Sequence, residues 1–392
     1  MIVKKVLIDR ANRLYQMPPD ILQFAEDSQK QGLIRRKDTL DLASFRWPVE
    51  FAEDQLPDTG GLKPASRDQI GQLREQLADW LQQRCHTKVL PDKEIFIGGR
   101  ISTLVHQLAI AYIDAGDVAF VPGLGIPIYR RAVLACNGES IGYTISPKTN
   151  WMPQFERLSS RLGPVARMLF LNNPHNPTGA ELSEKEMDEL AFLAGRENIL
   201  LINDAAYSSI AQRQPVSLLA ARAGKKVGIE LNSFSYQFGL PQLPFGYAVG
   251  NREIISGLKK VSRLTPTYLP AWFVDLASRA IRRFPNDNLK KVREIVSKAA
   301  AEAGNLLELL RLEPAGYTGV PYIWAQIERR TPAANTARLL LRRHRILVAP
   351  GSGFGETGEG YLRFCLLAGA ESFAQAATRL KKRRILQPKG EG

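Results

Sequence analysis

Cysteine is scarce. Cys85, Cys136 and Cys365 lie far apart in 392 residues and are odd in number. That spacing yields neither a disulfide framework nor a thiolate metal site, so reduced thiols are expected. Histidine is nearly as scarce: His86, His106, His175 and His344 show no ligand spacing, and no metal is expected. No apolar run approaches the roughly 20 residues that cross a bilayer. Met1–Arg10 lacks the pattern of a cleaved leader, so a cytoplasmic protein with no membrane contact is expected. Internal repeats and low-complexity tracts are missing too, which excludes solenoid folds.

What remains is an ordinary globular composition, 44% hydrophobic and 23% charged, in a chain long enough for two domains. The charge is less ordinary, with a formal net of +14. Basic residues cluster at Arg342–Arg345, Lys381–Arg384 and Lys225–Lys226. No helix-turn-helix, zinc finger or RNA-binding signature accompanies them, so a nucleic-acid partner is not expected. A solvated basic face fits the pattern, as does a binding face for an acidic protein partner or an anionic ligand.

Apolar spacing predicts helices near 21–31, 68–84, 102–115, 252–261, 270–284, 289–310 and 373–380. Short apolar runs at 95–97, 118–121, 168–171, 199–202, 322–327 and 346–348 read as strands. Strand and helix alternate through the first two thirds of the chain, which argues for a mostly parallel sheet with crossover helices.

Four runs carry the chemistry. Asn172-Asn-Pro-His-Asn-Pro-Thr-Gly179 leaves a predicted strand. Ile202-Asn-Asp-Ala-Ala-Tyr207 ends the next one. Val348-Ala-Pro-Gly-Ser-Gly-Phe-Gly355 and Gly358-Glu-Gly-Tyr-Leu-Arg-Phe364 follow near the end of the chain. A doubled Asn-Pro followed by Thr-Gly at a strand exit is rare by chance. Together the runs resemble the class I/II, fold-type I aminotransferases that use pyridoxal phosphate (PLP), in their LL-diaminopimelate aminotransferase-like group. The resemblance extends over nearly the whole chain.

It implies an α/β fold: a large domain with a mostly parallel sheet of the seven-stranded type flanked by helices, and a smaller α+β domain. The boundaries expected are 1–46 for the N-terminal arm and part of the small domain, 47–284 for the large domain, and 285–392 for the small one. By the same resemblance Asn176 and Tyr207 would reach the cofactor's phenolic oxygen, Asp204 its ring nitrogen, and Arg363 a substrate carboxylate. Planar guanidinium suits that last task because it can grip a carboxylate with two prongs. A homodimer is implied as well, with Leu264–Pro270 where interface residues lie in the family.

The family's Schiff-base lysine follows a Ser-x-Ser sequence, here Ser233 and Ser235, and its position is held by Tyr236. A phenol cannot form a Schiff base. The phosphate-binding arginine falls at Pro244 and the ring-stacking aromatic at Ile126, while Arg100-Ile101-Ser102 replaces the family's phosphate loop. This reading treats Arg100, Ser102, Ile126, Ser233, Ser235 and Pro244 as a vestigial cofactor pocket and expects no cofactor, with PLP binding weak or absent. It favours an enzyme that works without PLP on an amino-acid-like or carboxylate ligand, with Tyr236, Asp204 and Tyr207 as acid–base groups and Arg363 and Asn176 holding the ligand. Two alternatives stay open: a non-catalytic binding or regulatory pseudoenzyme, and a transaminase-like enzyme that uses PLP or its amine form, PMP, without a lysine.

Overall fold

The computed structural model describes residues 63–154 and 166–385, less 212, 241–242, 286, 316–319 and 328–330, together with 17–18, 27–29, 34, 38–44 and 48. Most of the arm at 12–19 and most of the predicted helix at 21–31 therefore lie outside the described residues.

Among the described residues thirteen strands follow one another: β1 Leu40–Asp41, β2 Ile95–Gly98, β3 Val118–Pro122, β4 Glu139–Tyr143, β5 Ala166–Asn172, β6 Leu200–Asp204, β7 Gly228–Ser233, β8 Gly246–Gly250, β9 Leu312–Pro314, β10 Tyr322–Ile327, β11 Ile346–Leu347, β12 Ala349–Pro350 and β13 Tyr361–Cys365. The helices that matter here are α1 Arg67–Cys85, α2 Ile101–Tyr112, α3 Ile128–Ala135, α4 Glu184–Arg196, α5 Phe234–Phe238, α6 Arg252–Ser262, α7 Ala271–Arg282, α8 Asp287–Leu310, α9 Ala333–His344 and α10 Gly369–Ile385.

Seven strands form the large sheet in the order β2-β8-β7-β6-β5-β3-β4. Six run in one direction, and β8 alone is reversed, antiparallel to both of its neighbours, β2 and β7. Both faces are covered, so the central strands are apolar almost throughout, as parallel sheets require. The two-residue period divides their side chains. Met168, Phe170 and Ile202 pack with α2 and α6 on one face, through Leu104, Leu108, Ile255 and Leu258. Leu169, Leu171 and Leu201 pack with α4 on the other, through Met187 and Leu190. The ends of α1 and α4 are set by capping boxes, Ser66 with Gln69 and Ser183 with Glu186.

A second sheet, β12-β13-β10-β9, is antiparallel throughout. It packs under α8 and α10 around Val296, Ala299, Ala303, Phe364 and Phe373. Segment 40–42 joins this unit, because β1 pairs in parallel with β11 and the Leu42 carbonyl accepts from Cys365 N at 2.7 Å. Tyr207 and Tyr236, from the large sheet, pack against this second core. The junction of the two sheets lies there, at the carboxyl ends of β5, β6 and β7, where open α/β sheets place their ligands. Among the described residues no helix is long and apolar enough to cross a membrane.

Candidate active site

Parallel neighbours β5 and β6 end in register, with Asn172 opposite Asp204. Asn172 Nδ2 donates to the Asp204 carbonyl at 2.9 Å, and its Oδ1 accepts from Asn176 N at 2.9 Å. One asparagine thus ties the Asn-Pro turn to the end of β6. The intervening histidine is structural: the two ring nitrogens of His175 lie 2.7 Å from Thr178 Oγ1 and 2.9 Å from the Leu124 carbonyl. Burial lowers its pKa to about 4, which keeps it neutral.

Asp204 is 2% exposed. Its Oδ2 accepts from the Tyr129 hydroxyl at 2.7 Å and its Oδ1 from Ala206 N at 3.1 Å. Burial raises the carboxyl to about pKa 6, and these two donors draw it back only in part. A cationic ring nitrogen beside it would favour the ionised form.

Around Asn176 the other groups converge. Its Nδ2 donates to the Tyr207 hydroxyl at 3.2 Å, and its Oδ1 accepts from Arg363 Nη1 at 3.1 Å. The Tyr207 hydroxyl also lies 3.2 Å from that of Tyr322. Burial, with Tyr236 nearby, pushes the Tyr207 phenol well up, so it stays protonated.

Arg363 is 4% exposed, yet its partners among the described residues are all neutral. Nη2 donates to the Ala43 carbonyl at 2.8 Å, and the guanidinium lies 4.2 Å from the Tyr322 ring centroid and 4.8 Å from that of Phe354. Its Nε has no hydrogen-bond partner. A buried guanidinium with an idle donor and no carboxylate is poised for an anion.

Beyond Tyr207 a recess of about 400 Å³ opens, walled by Arg100, Ile101, Ser102, Ser233, Ser235 and Tyr236, with Leu243 and Phe245 behind. Tyr236 belongs to both regions, since its ring lies parallel to that of Tyr207 with centroids 5.9 Å apart. The floor is the N-terminus of α2. Arg100 caps it without a side-chain hydrogen bond, and the first N–H groups, at Ile101 and Ser102, have no acceptor inside the helix. Such an end attracts phosphate. A close approach of backbones holds it there: a Cβ on Gly246 would lie 2.7 Å from the Asn232 carbonyl oxygen and 3.0 Å from that of Gly99.

The structure therefore gathers Asn176, Asp204, Tyr207, Tyr236 and Arg363 into one junction and puts Arg100, Ser102, Ser233 and Ser235 in the adjoining recess. It leaves out two expected members. Ile126 packs among core side chains, and Pro244 is exposed; neither is a wall of the recess. Sequence reasoning missed Tyr129 under Asp204 and Tyr322 under Arg363. The second had a usable clue, because β10 pairs Tyr322 with Cys365 and Trp324 with Arg363, which makes Tyr322 a diagonal neighbour of Arg363.

The donor set fits a pyridoxal phosphate. Asp204 suits a protonated ring nitrogen, Asn176 and Tyr207 a phenolic oxygen, and the α2 terminus with Arg100 and Ser102 a phosphate. Only the covalent anchor is without a counterpart among these residues.

Residues 54–380 match the family described as aminotransferase class I and II. The LL-diaminopimelate aminotransferase of Halothermothrix orenii is 29% identical over 393 residues, which covers 96% of this chain and 99% of that protein. The protein of the same name from Dehalococcoides mccartyi is 30% identical over 337 residues, covering 83% and 82%. Of solved structures, substrate-bound BacF from Bacillus subtilis aligns with a TM-score of 0.85 at 23% identity, over 96% of this chain and 98% of that one, a likeness that speaks for the fold.

These matches overturn two expectations: an enzyme that works without PLP, and a chain with no cofactor. The family and the relatives named are aminotransferases, for which pyridoxal phosphate is the implied cofactor. The physical reason for the error lies in what a residue-by-residue tally counts. It scores each lost side chain as a lost contact, whereas the N–H groups at the start of α2 are backbone donors that no residue type announces.

Proposed function

The chain belongs to the class I and II aminotransferase family, and from that premise we propose that it transfers an amino group between an amino acid and a 2-oxo acid, using pyridoxal phosphate or its amine form in the cleft between the two sheets. When bound, the cofactor supplies the carbonyl or amine that carries the amino group and a ring that takes up the electron pair. Asp204 would face the ring nitrogen, Asn176 and Tyr207 the phenolic oxygen, and Arg100, Ser102 and the start of α2 the phosphate.

One observation carries the substrate side: among the described residues Arg363 is buried, lacks a carboxylate partner and keeps an idle Nε. A substrate carboxylate would give the guanidinium the anion it lacks, and the aromatic faces of Tyr322 and Phe354 restrict where that anion can sit. Asn176 bonds both Arg363 and Tyr207, so the carboxylate end and the ring end of the site are held in one frame. Ser233, Ser235 and Tyr236 close the recess from the β7 side.

LL-diaminopimelate is the first amino donor to try, because it names the relatives. The test supplies the purified chain with pyridoxal phosphate, a panel of amino acids including LL-diaminopimelate, and 2-oxoglutarate, and measures glutamate. Glutamate formation that depends on the added amino acid and is lost in Arg363→Ala is the expected result. No glutamate from any donor, with the cofactor demonstrably bound, would refute amino transfer.

A further inference from the structure

Resting on the cofactor reading above, we propose that this chain holds its vitamin B6 phosphate without a covalent link, as an exchangeable ligand, and that the amine form binds about as well as the aldehyde. The recess and the Asn176–Tyr207–Arg363 cluster meet at one side chain, Tyr236, which walls the first and stacks on the second. A phenol there can share a hydrogen bond with an aldehyde or an amine but cannot condense with either.

No lysine lines the recess among the described residues. The nearest lysines along the strand, Lys225 and Lys226, precede β7, whereas Ser233 ends it. Five residue steps along a strand span about 16 Å, well beyond the reach of a lysine side chain. Lys225 is engaged besides, with the Lys88 carbonyl at 2.8 Å and Glu94 Oε2 at 3.1 Å. The groups positioned for a ligand are all non-covalent: the Asp204 carboxylate, the amide and phenol of Asn176 and Tyr207, and the N-terminus of α2 with Arg100 and Ser102. None of these groups is assigned to the substituent that differs between the aldehyde and the amine. Residence is therefore set by reversible contacts, and the two forms compete for one place.

The test uses the full chain in three arms. Wild type is titrated separately with pyridoxal phosphate and pyridoxamine phosphate by equilibrium dialysis. Wild type loaded with pyridoxal phosphate is then treated with borohydride, denatured, and examined by intact mass and peptide mapping. The same treatment is applied to Tyr236→Lys. The expected results are binding of both forms with affinities within about tenfold of one another, a gap of roughly 1.4 kcal/mol, no mass increment on wild type, and one pyridoxyl increment at position 236 of the variant. A borohydride-fixed increment on any lysine of wild type would overturn the proposal and leave the amino-transfer reading standing. Saturable binding of pyridoxal phosphate alone would likewise overturn it and spare that reading. Binding of neither form to folded wild type would overturn both. Should Tyr236→Lys fail to fold, the two wild-type arms decide.

Discussion

Asp204→Asn should stabilise the ligand-free chain at alkaline pH while weakening its hold on the cofactor. Burial raises the Asp204 carboxyl from 3.8 to about 6, which corresponds to about 3 kcal/mol. The sign follows from the raised value. Folding bears no cost while the group is protonated in both states, below its ordinary pKa. The cost grows as pH rises from the ordinary pKa towards the folded one and is complete above about 6. An asparagine still offers an oxygen to the Tyr129 hydroxyl but loses the acceptor for Ala206 N, a loss of about 1 kcal/mol. The variant should then be about 2 kcal/mol more stable than wild type at pH 8 and about 1 kcal/mol less stable at pH 4. At about 2.1 cal/mol/K of unfolding entropy per residue, that swing is about 4 °C in the Tm difference. The wild-type profile alone would hide it. His175, lowered from 6.5 to about 4, contributes stability that is present above its ordinary pKa and lost as pH falls, so it opposes Asp204 over the same window. Calorimetric scans of both proteins without ligand from pH 4 to 8 make the comparison. Parallel Tm profiles would refute the reasoning, because they would mean that Asp204 is not strained by burial.

Arg363→Ala should weaken binding of the amino-acid substrate by about 2–5 kcal/mol, the usual cost of removing one partner of a buried charge pair; Arg363→Lys should recover only part of it, as read by calorimetric titration. The chain should scatter light as a dimer at micromolar concentration, since Leu264 and Tyr268, in the stretch where the family places interface residues, are 76% and 51% exposed; a monomer would count against this. Arg379 donates to the carbonyls of Asp38, His344 and Arg345, which brings the ends of α9 and α10 together with Arg342, Arg343, Lys381 and Lys382 exposed around them. Reversing those four charges should abolish salt-sensitive retention on a polyanionic resin and leave amino transfer unchanged; equal retention would assign the basic character elsewhere.

The junction was legible where a motif is tied to a strand end. Asn176, Tyr207 and Arg363 are far apart in sequence, yet the runs that contain them each close a strand or lie in one, and the sheets bring their ends together. The sheet itself could be read from short apolar runs, because strands buried on both faces leave little choice of residue. Tyr129 could not be found in this way. Its hydroxyl meets Asp204 only because α3 returns over the sheet, a tertiary accident of register that the local run Gly125-Ile-Pro-Ile-Tyr129 does not encode. Ile126, read as the place of a lost ring-stacking aromatic, is partly buried and packs against two core clusters.

The most direct test of the account is titration of the purified chain with pyridoxal phosphate, followed by the circular dichroism induced in the cofactor. The account predicts a saturable signal at one cofactor per chain. Asp204→Asn should weaken it about tenfold or more, in keeping with about 1.5–3 kcal/mol for a hydrogen bond to a charged group. The absence of any induced signal from folded protein at millimolar cofactor, or an Asp204→Asn variant that binds as tightly as wild type, would contradict it.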